Sequence, residues 1–400
     1  MNHIPRNDYL QFLNQAKDKQ IIKVLSGVRR AGKSTIMQMF REQLIQEGVS
    51  EPHILTLNFE EYDQRHLLDP VALHAYVMNF LKDDQMHYVF LDEIQMVADF
   101  ERVVDSLFIR ENIDLYITGS NAYFLSGELA TMLTGRYLEK KVYPLSFKEF
   151  VSVDPSRTLI ANYTEYLKSS FPFATNFDSD AEVLNYTEGI YNTVILKDIV
   201  SRLDIRDAAT LDRIVRTLFS SIGSPISIMK ITNTLVSAQY KISNKTVEKY
   251  VQGIVDSMLM YRVSRYDLKG RKILASIDKY YAVDMGLRGF AVKNEVGDYG
   301  HILENVIYLE LRRRGYNVYV GKMGDLEVDF VAISAGDQRQ YIQVALNTLD
   351  ETTLQRELRS LQAIHDDYPK LLLTLDDFEP QADFNGITKM NALEWLMLEA

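Results

Sequence analysis

IIKVLSGVRRAGKSTIMQMFREQLIQEG, residues 21–48, begins as a short apolar run, passes through glycines at 27 and 32, and leaves with helical spacing that stops at Gly48. Within it GVRRAGKS (27–34) fits the phosphate-loop pattern G-x-x-x-x-G-K-[ST], set between a predicted strand and a predicted helix. The glycines let successive backbone N–H groups turn toward phosphate oxygens, and the following helix offers its positive end. Lys33 is expected at the β- and γ-phosphates and Ser34 on Mg²⁺. Gly27, Arg29, Arg30, Ala31, Gly32 and Thr35 complete the nucleotide-binding stretch. The two arginines are not required by the pattern; phosphate contact and simple solvation both fit them.

The chain outward from this loop keeps alternating. HILTLNF (53–59) reads as a strand, VALHAYVMNFLKDD (71–84) as a helix and YVFLDE (88–93) as a buried strand. FERVVDSLFIREN (100–112) is then helical, and DLYITGS (114–120) is another buried strand. This alternation predicts an α/β fold, a parallel sheet with helices on both faces. Ligands of such sheets bind beyond the carboxyl ends of the strands. Asp92 is therefore expected to hold Mg²⁺ through water, and Glu93 to orient or deprotonate the water that attacks ATP. The next strand ends at Ser120 and Asn121, where a sensor of the γ-phosphate and a plain strand-to-loop turn are equally good readings. An arginine from a neighbouring subunit commonly completes such sites. Arg136, in LTGRY, and Arg110 are the candidates, against the plainer reading of surface arginines.

Length and composition bound the rest. The chain has 400 residues, which predicts about two to four domains. It has no cysteine, so disulfides, thiolate zinc sites and cysteine nucleophiles are excluded. Its 7 histidines form no H-x-x-x-H or H-E-x-x-H pair, and no zinc site is expected from them. There is no secretory apolar region and no apolar run of about 18 residues, so the expectation is a cytoplasmic protein without a membrane partner.

The net charge is −11, yet residues 201–280 hold 14 Lys and Arg against 7 Asp and Glu. This basic module reads as two helices, SIMKITNTL (227–235) and SNKTVEKYVQGIVDSML (243–259), with Ser243 as N-cap, then a hairpin in YRVSRYDLKGRKIL (261–274). Lys245 and Lys249 on the second helix, with Arg262, Arg265, Lys269, Arg271 and Lys272 on the hairpin, are the candidate DNA contacts. A recognition helix would enter the major groove and a basic wing would track the backbone. A lid or an oligomer contact is the competing use of the same module.

The order of motifs resembles the AAA+ superfamily, and within it the bacterial and archaeal AAA-type ATPases that carry a C-terminal domain of unknown function. The shared segments are GVRRAGKST, VFLDEIQ, ITGSNA, LTGR followed by YPLSFKEF, TVILKDIVSR, SIGSPISIMKI, KYYAVDMGLR, GHILENVIYLEL and EVDFV. The resemblance implies a P-loop AAA+ core over 1–150, a helical lid or linker over 151–225 and a winged helix over 226–290. It also implies a restriction-endonuclease-like α/β domain, of PD-(D/E)XK type, over 291–400. ATP and Mg²⁺ are its implied ligands, and self-association in a ring or other oligomer is expected. In the nuclease pattern Glu304 matches the helix acid and Asp329 the strand acid. The E-x-K position instead reads Gln343-Val344-Ala345, so that one carboxylate and the lysine are missing. The domain is expected to keep the fold without cutting. Glu327 and Asp325 are the nearby acids able to complete an unconventional metal site. The functional expectation is an ATPase driving a DNA-acting motor or switch on duplex or branched DNA. The alternatives are a nucleotide-gated protein-binding switch and an ATP-regulated nuclease.

Overall fold

A computed structural model describes residues 4–120, 133–205, 207–292, 298–377 and 381–399. The chain divides into two compact units, Met1–Pro144 with Asp256–Met258, and Leu145–Val255 with Leu259–Ala400.

In the first unit the apolar runs become β1 (Ile22–Ser26), β2 (Ile54–Asn58), β3 (His87–Asp92), β4 (Ile113–Gly119) and β5 (Tyr137–Lys141). They form one sheet in the order β2-β3-β4-β1-β5, and every pairing is parallel. β1, β3 and β4 are buried at every residue, as strands covered on both faces must be. The edge strand β5, YLEKK, has no buried residue, and its charges blunt the sheet edge. Helices Lys33–Gln46, Pro70–Phe80 and Phe100–Phe108 supply the crossovers. The last buries Phe100, Val103, Val104 and Leu107, a stripe at helical spacing. That stripe packs with Val89, Leu91, Leu115 and Ile117 in one core. Because β4 lies between β1 and β3, its tip separates the phosphate loop from the acids of β3.

One polar network interrupts this apolar sheet. Lys23 of β1 is wholly buried and forms an ion pair with Asp114 of β4. Asp114 also accepts hydrogen bonds from the Tyr116 hydroxyl at 2.8 Å and the Asp18 N–H at 2.9 Å. Lys23 donates to the Lys19 carbonyl at 2.8 Å. Burial nonetheless pulls the Lys23 ammonium below its ordinary pKa, against the opposing pull of Asp114.

The second unit opens with helices, among them Asp180–Thr193, the π-helical Val194–Ser201, Ala208–Ser220, Ile228–Ser237 and Asn244–Asp256. The stretch 169–180 contains a 3₁₀ turn at Pro172–Asn176. Strands β6 (Met260–Asp267), β7 (Lys272–Ala282), β8 (Asn317–Met323), β9 (Leu326–Ile333) and β10 (Arg339–Ala345) follow. β11 (Lys370–Thr374), β12 (Gln381–Asp383) and β13 (Ile387–Asn391) complete an eight-stranded mixed sheet ordered β12-β13-β11-β10-β9-β8-β6-β7. The hairpin read as a wing is thus continuous with the C-terminal strands, since β6 pairs in parallel with β8 through Arg265, Tyr266 and Asp267. A boundary at 290 crosses this sheet, because local hairpin signals carry no record of which distant strand lies alongside. Among the described residues no helix is long and apolar enough to cross a membrane.

Candidate active site

The phosphate loop is shaped by two glycines. A Cβ on Gly27 would stand 2.2 Å from the Val142 carbonyl oxygen, so only glycine lets the chain leave β1 there. Gly32 takes φ +97° immediately before the helix, and Arg30 also lies in the left-handed region at φ +66°. Lys33 then opens the helix with its side chain folded back over the loop. Its Nζ donates to the Gly27 carbonyl at 3.0 Å and the Val28 carbonyl at 3.3 Å. It also pairs with Glu93 Oε1 at 3.2 Å, with both side chains almost fully buried.

The two acids at the end of β3 occupy different environments. Asp92 is hydrogen-bonded to the hydroxyls of Ser34 and Thr118. Burial pushes its carboxyl above the ordinary value, and those two hydroxyls pull it partly back. Glu93 takes φ +55°, an uncommon conformation for a side chain of this size, which turns its carboxylate back toward Lys33. Its N–H donates to Thr118 Oγ1 at 2.9 Å. Gln95 Nε2 donates to Glu93 Oε2 at 2.5 Å and to Ser120 Oγ at 3.3 Å. Burial raises the Glu93 carboxyl, but Lys33, then Gln95 and Arg29, overcome this and hold it below its usual value. The site therefore has an ionised glutamate beside a lysine, and an oxygen-only pair, Ser34 and Asp92. Paired hydroxyl and carboxylate oxygens are the donor type that Mg²⁺ takes, so the residues fit that ion.

The other expected residues divide. Ser120 is buried at the tip of β4, within the Gln95 contact. Ala31 is buried, while Ser34, Thr35 and Arg30 are exposed. Arg29 forms an ion pair with Glu60 in the loop after β2. Asn121 lies outside the described residues. Arg136 is not brought to the phosphates: its carbonyl accepts the Ile22 N–H at 2.8 Å, at the amino end of β1, and its side chain pairs with Asp105. Arg110 is exposed just past the helix Phe100–Phe108.

One residue at this site has no local signal in the sequence. Arg6, 3% exposed, donates to the Ala31 carbonyl inside the phosphate loop at 3.1 Å and to the Tyr143 carbonyl at 2.8 Å. It ties the loop to the segment after β5.

In the second unit the basic candidates are unequal. Arg262 pairs with Asp278 at 2.6 Å, Arg265 with Glu327 at 3.5 Å, and Lys249 donates to the Leu203 carbonyl at 3.1 Å. Lys245, Lys269, Arg271 and Lys272 are exposed. Glu304 and Asp329 do come together, from the helix Tyr299–Arg313 and from β9. A buried lysine from a different strand lies beside them. Lys279 of β7 lies 3.0 Å from Glu304, 3.1 Å from Glu327 and 3.7 Å from Asp329. The Tyr281 hydroxyl donates to Glu304 at 2.5 Å. Gln343 Nε2 donates to Glu357 of the helix Glu351–Gln362 at 2.9 Å. Burial, reinforced by Glu304 and opposed by Lys279, pushes the Asp329 carboxyl up to about 8. The ammonium lies among the carboxylates, and among the described residues these acids do not draw their oxygens close enough together to form a metal-binding set of three.

A parallel sheet with this phosphate loop and these strand-end acids defines a P-loop ATPase. Residues 19–151 match the family model of an AAA domain, and residues 160–296 match a domain of unknown function (DUF8612). The chain is 39% identical to an uncharacterized protein of Haemophilus influenzae, with 98% of each chain covered. It is 32% identical to an uncharacterized protein of Methanocaldococcus jannaschii, over 85% of this chain and 78% of that one. The fold is similar to that of a Walker-type ATPase of Pyrococcus abyssi, with TM-score 0.51, 13% identity and coverage of 72% of this chain and 95% of that chain. The chain belongs to the family of these two relatives, an AAA-domain P-loop ATPase family, and nucleotide binding follows from that membership.

Proposed function

We propose that the protein hydrolyses ATP and uses the cycle to drive a DNA-acting motor or switch. The observation that carries the hydrolytic part is the convergence of Lys33, Ser34, Asp92 and Glu93, with Ser120 alongside, at one end of the sheet. Lys33 is the flexible cation for the β- and γ-phosphate oxygens. Phosphate offers it a competing anion, and the Lys33–Glu93 pair at 3.2 Å is the contact that phosphate would displace. Glu93, freed from that pair and still held by Gln95, then orients the attacking water and receives its proton. Ser34 and Asp92 would hold Mg²⁺, which supplies charge neutralisation at the phosphate oxygens when bound. Hydrolysis completed by Arg136 or Arg110 of a second copy is part of this reading, as is assembly into an oligomer.

The DNA part rests on the module around residues 208–282. The helix Ala208–Ser220, the bridge between Ile226 and Asp278, two helices and the β6–β7 hairpin support reading this module as a winged helix. Ser243 caps its second helix by accepting the Thr246 N–H at 3.2 Å. Lys245, Lys269, Arg271 and Lys272 are among its exposed cations. The ion pairs of Arg262 and Arg265 favour the second reading, a nucleotide-gated switch that binds protein through the same surface. The C-terminal cluster, with Lys279 among its acids, supports docking or assembly over cleavage.

The test is ATP turnover with and without duplex, single-stranded and four-way-junction DNA, with Lys33→Ala as control. Turnover that Lys33→Ala abolishes and DNA stimulates is expected. Turnover indifferent to every DNA would leave the ATPase and overturn its DNA role. Mg²⁺-dependent cutting lost in Asp329→Ala would overturn the docking role of the C-terminal cluster.

A further inference from the structure

The amino end of the sheet carries a second constellation, at the opposite strand ends from the phosphate loop. His53 ends the 3₁₀ turn Glu51–His53 and directly precedes β2, His87 opens β3, and Asp83 lies in the loop before it. β2 and β3 pair in parallel with Ile54 beside Tyr88, which brings the two histidines side by side with ring centroids 4.8 Å apart. His53 Nε2 is 3.1 Å from Asp83 Oδ2, and His87 Nε2 is 4.0 Å from Asp83 Oδ1. Among the described residues these three form the one group of His, Asp or Glu whose ligand atoms all lie within 4.8 Å of one another.

The outer hydrogen bonds fix which nitrogens face inward. His87 Nδ1 lies 2.8 Å from the Gln85 carbonyl, an acceptor only, so Nδ1 must carry the proton. Nε2 of the neutral ring then holds the lone pair, and the Lys82 N–H approaches it at 3.5 Å as a donor. His53 Nδ1 is occupied by Ser50 Oγ at 2.5 Å, again leaving Nε2 toward Asp83. Asp83 is itself held, Oδ1 by the Gln85 N–H at 2.9 Å and its carbonyl by Asn112 Nδ2 at 3.3 Å. Imidazoles oriented through Nδ1 by carbonyl or hydroxyl partners, with Nε2 converging on a carboxylate, are the outer-sphere arrangement of metal-binding histidines.

We infer that His53, Asp83 and His87 form a binding site for a divalent transition-metal ion of the zinc class, which clips the start of β2 to the loop before β3. Zinc bonds of about 2.0–2.2 Å in a tetrahedron separate ligand atoms by roughly 3.4 Å. The observed 3.1 and 4.0 Å bracket that separation, and all three ligand atoms lie within 4.8 Å of one another, so closure needs side-chain shifts on the order of an ångström. Three protein ligands leave a fourth position for water. His87 is fully buried, while His53 and Asp83 are partly exposed, so the ion has an entry path. Mg²⁺, which prefers oxygen and resists dehydration, is poorly served by two imidazoles. The same pose without an ion is an imidazole–carboxylate hydrogen bond, and the experiment separates the two.

The full chain, stripped with chelator and free of nucleotide, is titrated with Co²⁺ while visible absorption is followed, and Zn²⁺ and Mg²⁺ are then added as competitors. One equivalent of Co²⁺ with tetrahedral d–d bands is expected, displaced by Zn²⁺ and untouched by Mg²⁺. His53→Gln and Asp83→Asn, both at partly exposed positions, should weaken it at least ~100-fold. His66→Gln, at an exposed histidine elsewhere, should leave it unchanged. Zn²⁺ should also raise the melting temperature of the wild type and not of His53→Gln. Absence of the bands, or bands that survive both ligand variants, overturns the site and leaves the hydrogen-bonded triad.

Discussion

Glu93 shows how much one side chain's setting decides. It is buried, it adopts a left-handed backbone conformation, and Lys33 and Gln95 keep it ionised. Glu93→Gln keeps the shape and the Gln95 contact but loses the charge that accepts a proton. ATP binding should persist and hydrolysis should slow by about 10²–10⁴-fold. Single-turnover kinetics beside a binding titration checks this, and wild-type turnover in the variant would remove Glu93 from the mechanism. Arg6 makes a different residue-scale prediction. Its bonds to Ala31 and Tyr143 are charge-assisted and buried. Arg6→Met strands both carbonyls, so about 2–4 kcal/mol of stability should be lost. Nucleotide affinity should fall roughly tenfold, because the phosphate loop is no longer tethered. Arg6→Lys, which keeps the charge without the planar fork, should recover only part of the affinity.

At the scale of elements, the sheet of the first unit depends on one buried ion pair across β1 and β4. Lys23 and Asp114 are both almost completely buried. Removing one partner leaves an uncompensated charge in the interior, so Asp114→Ala should cost about 3–5 kcal/mol. The double variant Lys23→Met/Asp114→Leu replaces the pair with apolar volume and should be much less destabilised than Asp114→Ala. Hydrogen exchange of the β1 and β4 amides, with thermal melting alongside, distinguishes these outcomes. A double variant as unstable as the single one would show that the Tyr116 and Asp18 contacts matter more than the pair itself. The hairpin β6–β7 is an element whose meaning changed on folding. Read locally it is a basic wing. In the fold, Arg262 and Arg265 turn to Asp278 and Glu327, and β7 carries Lys279 into the acids of the helix Tyr299–Arg313 and β9.

For the molecule as a whole, that cluster makes stability depend on pH. The Asp329 carboxyl rises from an ordinary 3.8 to about 8 in the folded chain. Between those values the folded state keeps a proton that the unfolded state releases. The contribution is therefore complete below the unfolded value and is lost as pH rises through about 8. Its slope is at most about 1.4 kcal/mol per pH unit. Trp395, the sole tryptophan, is buried in the second unit, so its fluorescence follows that unit's unfolding. The urea midpoint should fall from pH 6 to pH 9 in the wild type, and Asp329→Asn should flatten that fall. An equal fall in both proteins would place the titrating group elsewhere.

The sequence alone determined the ATPase core. Its phosphate loop occupies contiguous residues, and its acids sit at the end of an apolar run whose period announces a buried strand, so local order was enough to place Lys33, Ser34, Asp92 and Glu93. It also carried Glu304 and Asp329, because each stands in a recognisable helix or strand. What only the tertiary structure decided are contacts between residues far apart in the chain. Arg6 reaches Ala31 and Tyr143; Lys279 of β7 reaches Glu304; and His53, Asp83 and His87 show no ligand spacing until β2 and β3 lie side by side. Periodicity reports which face of an element is buried. Which distant element covers that face depends on sheet order and register, and these emerge only when the whole core packs.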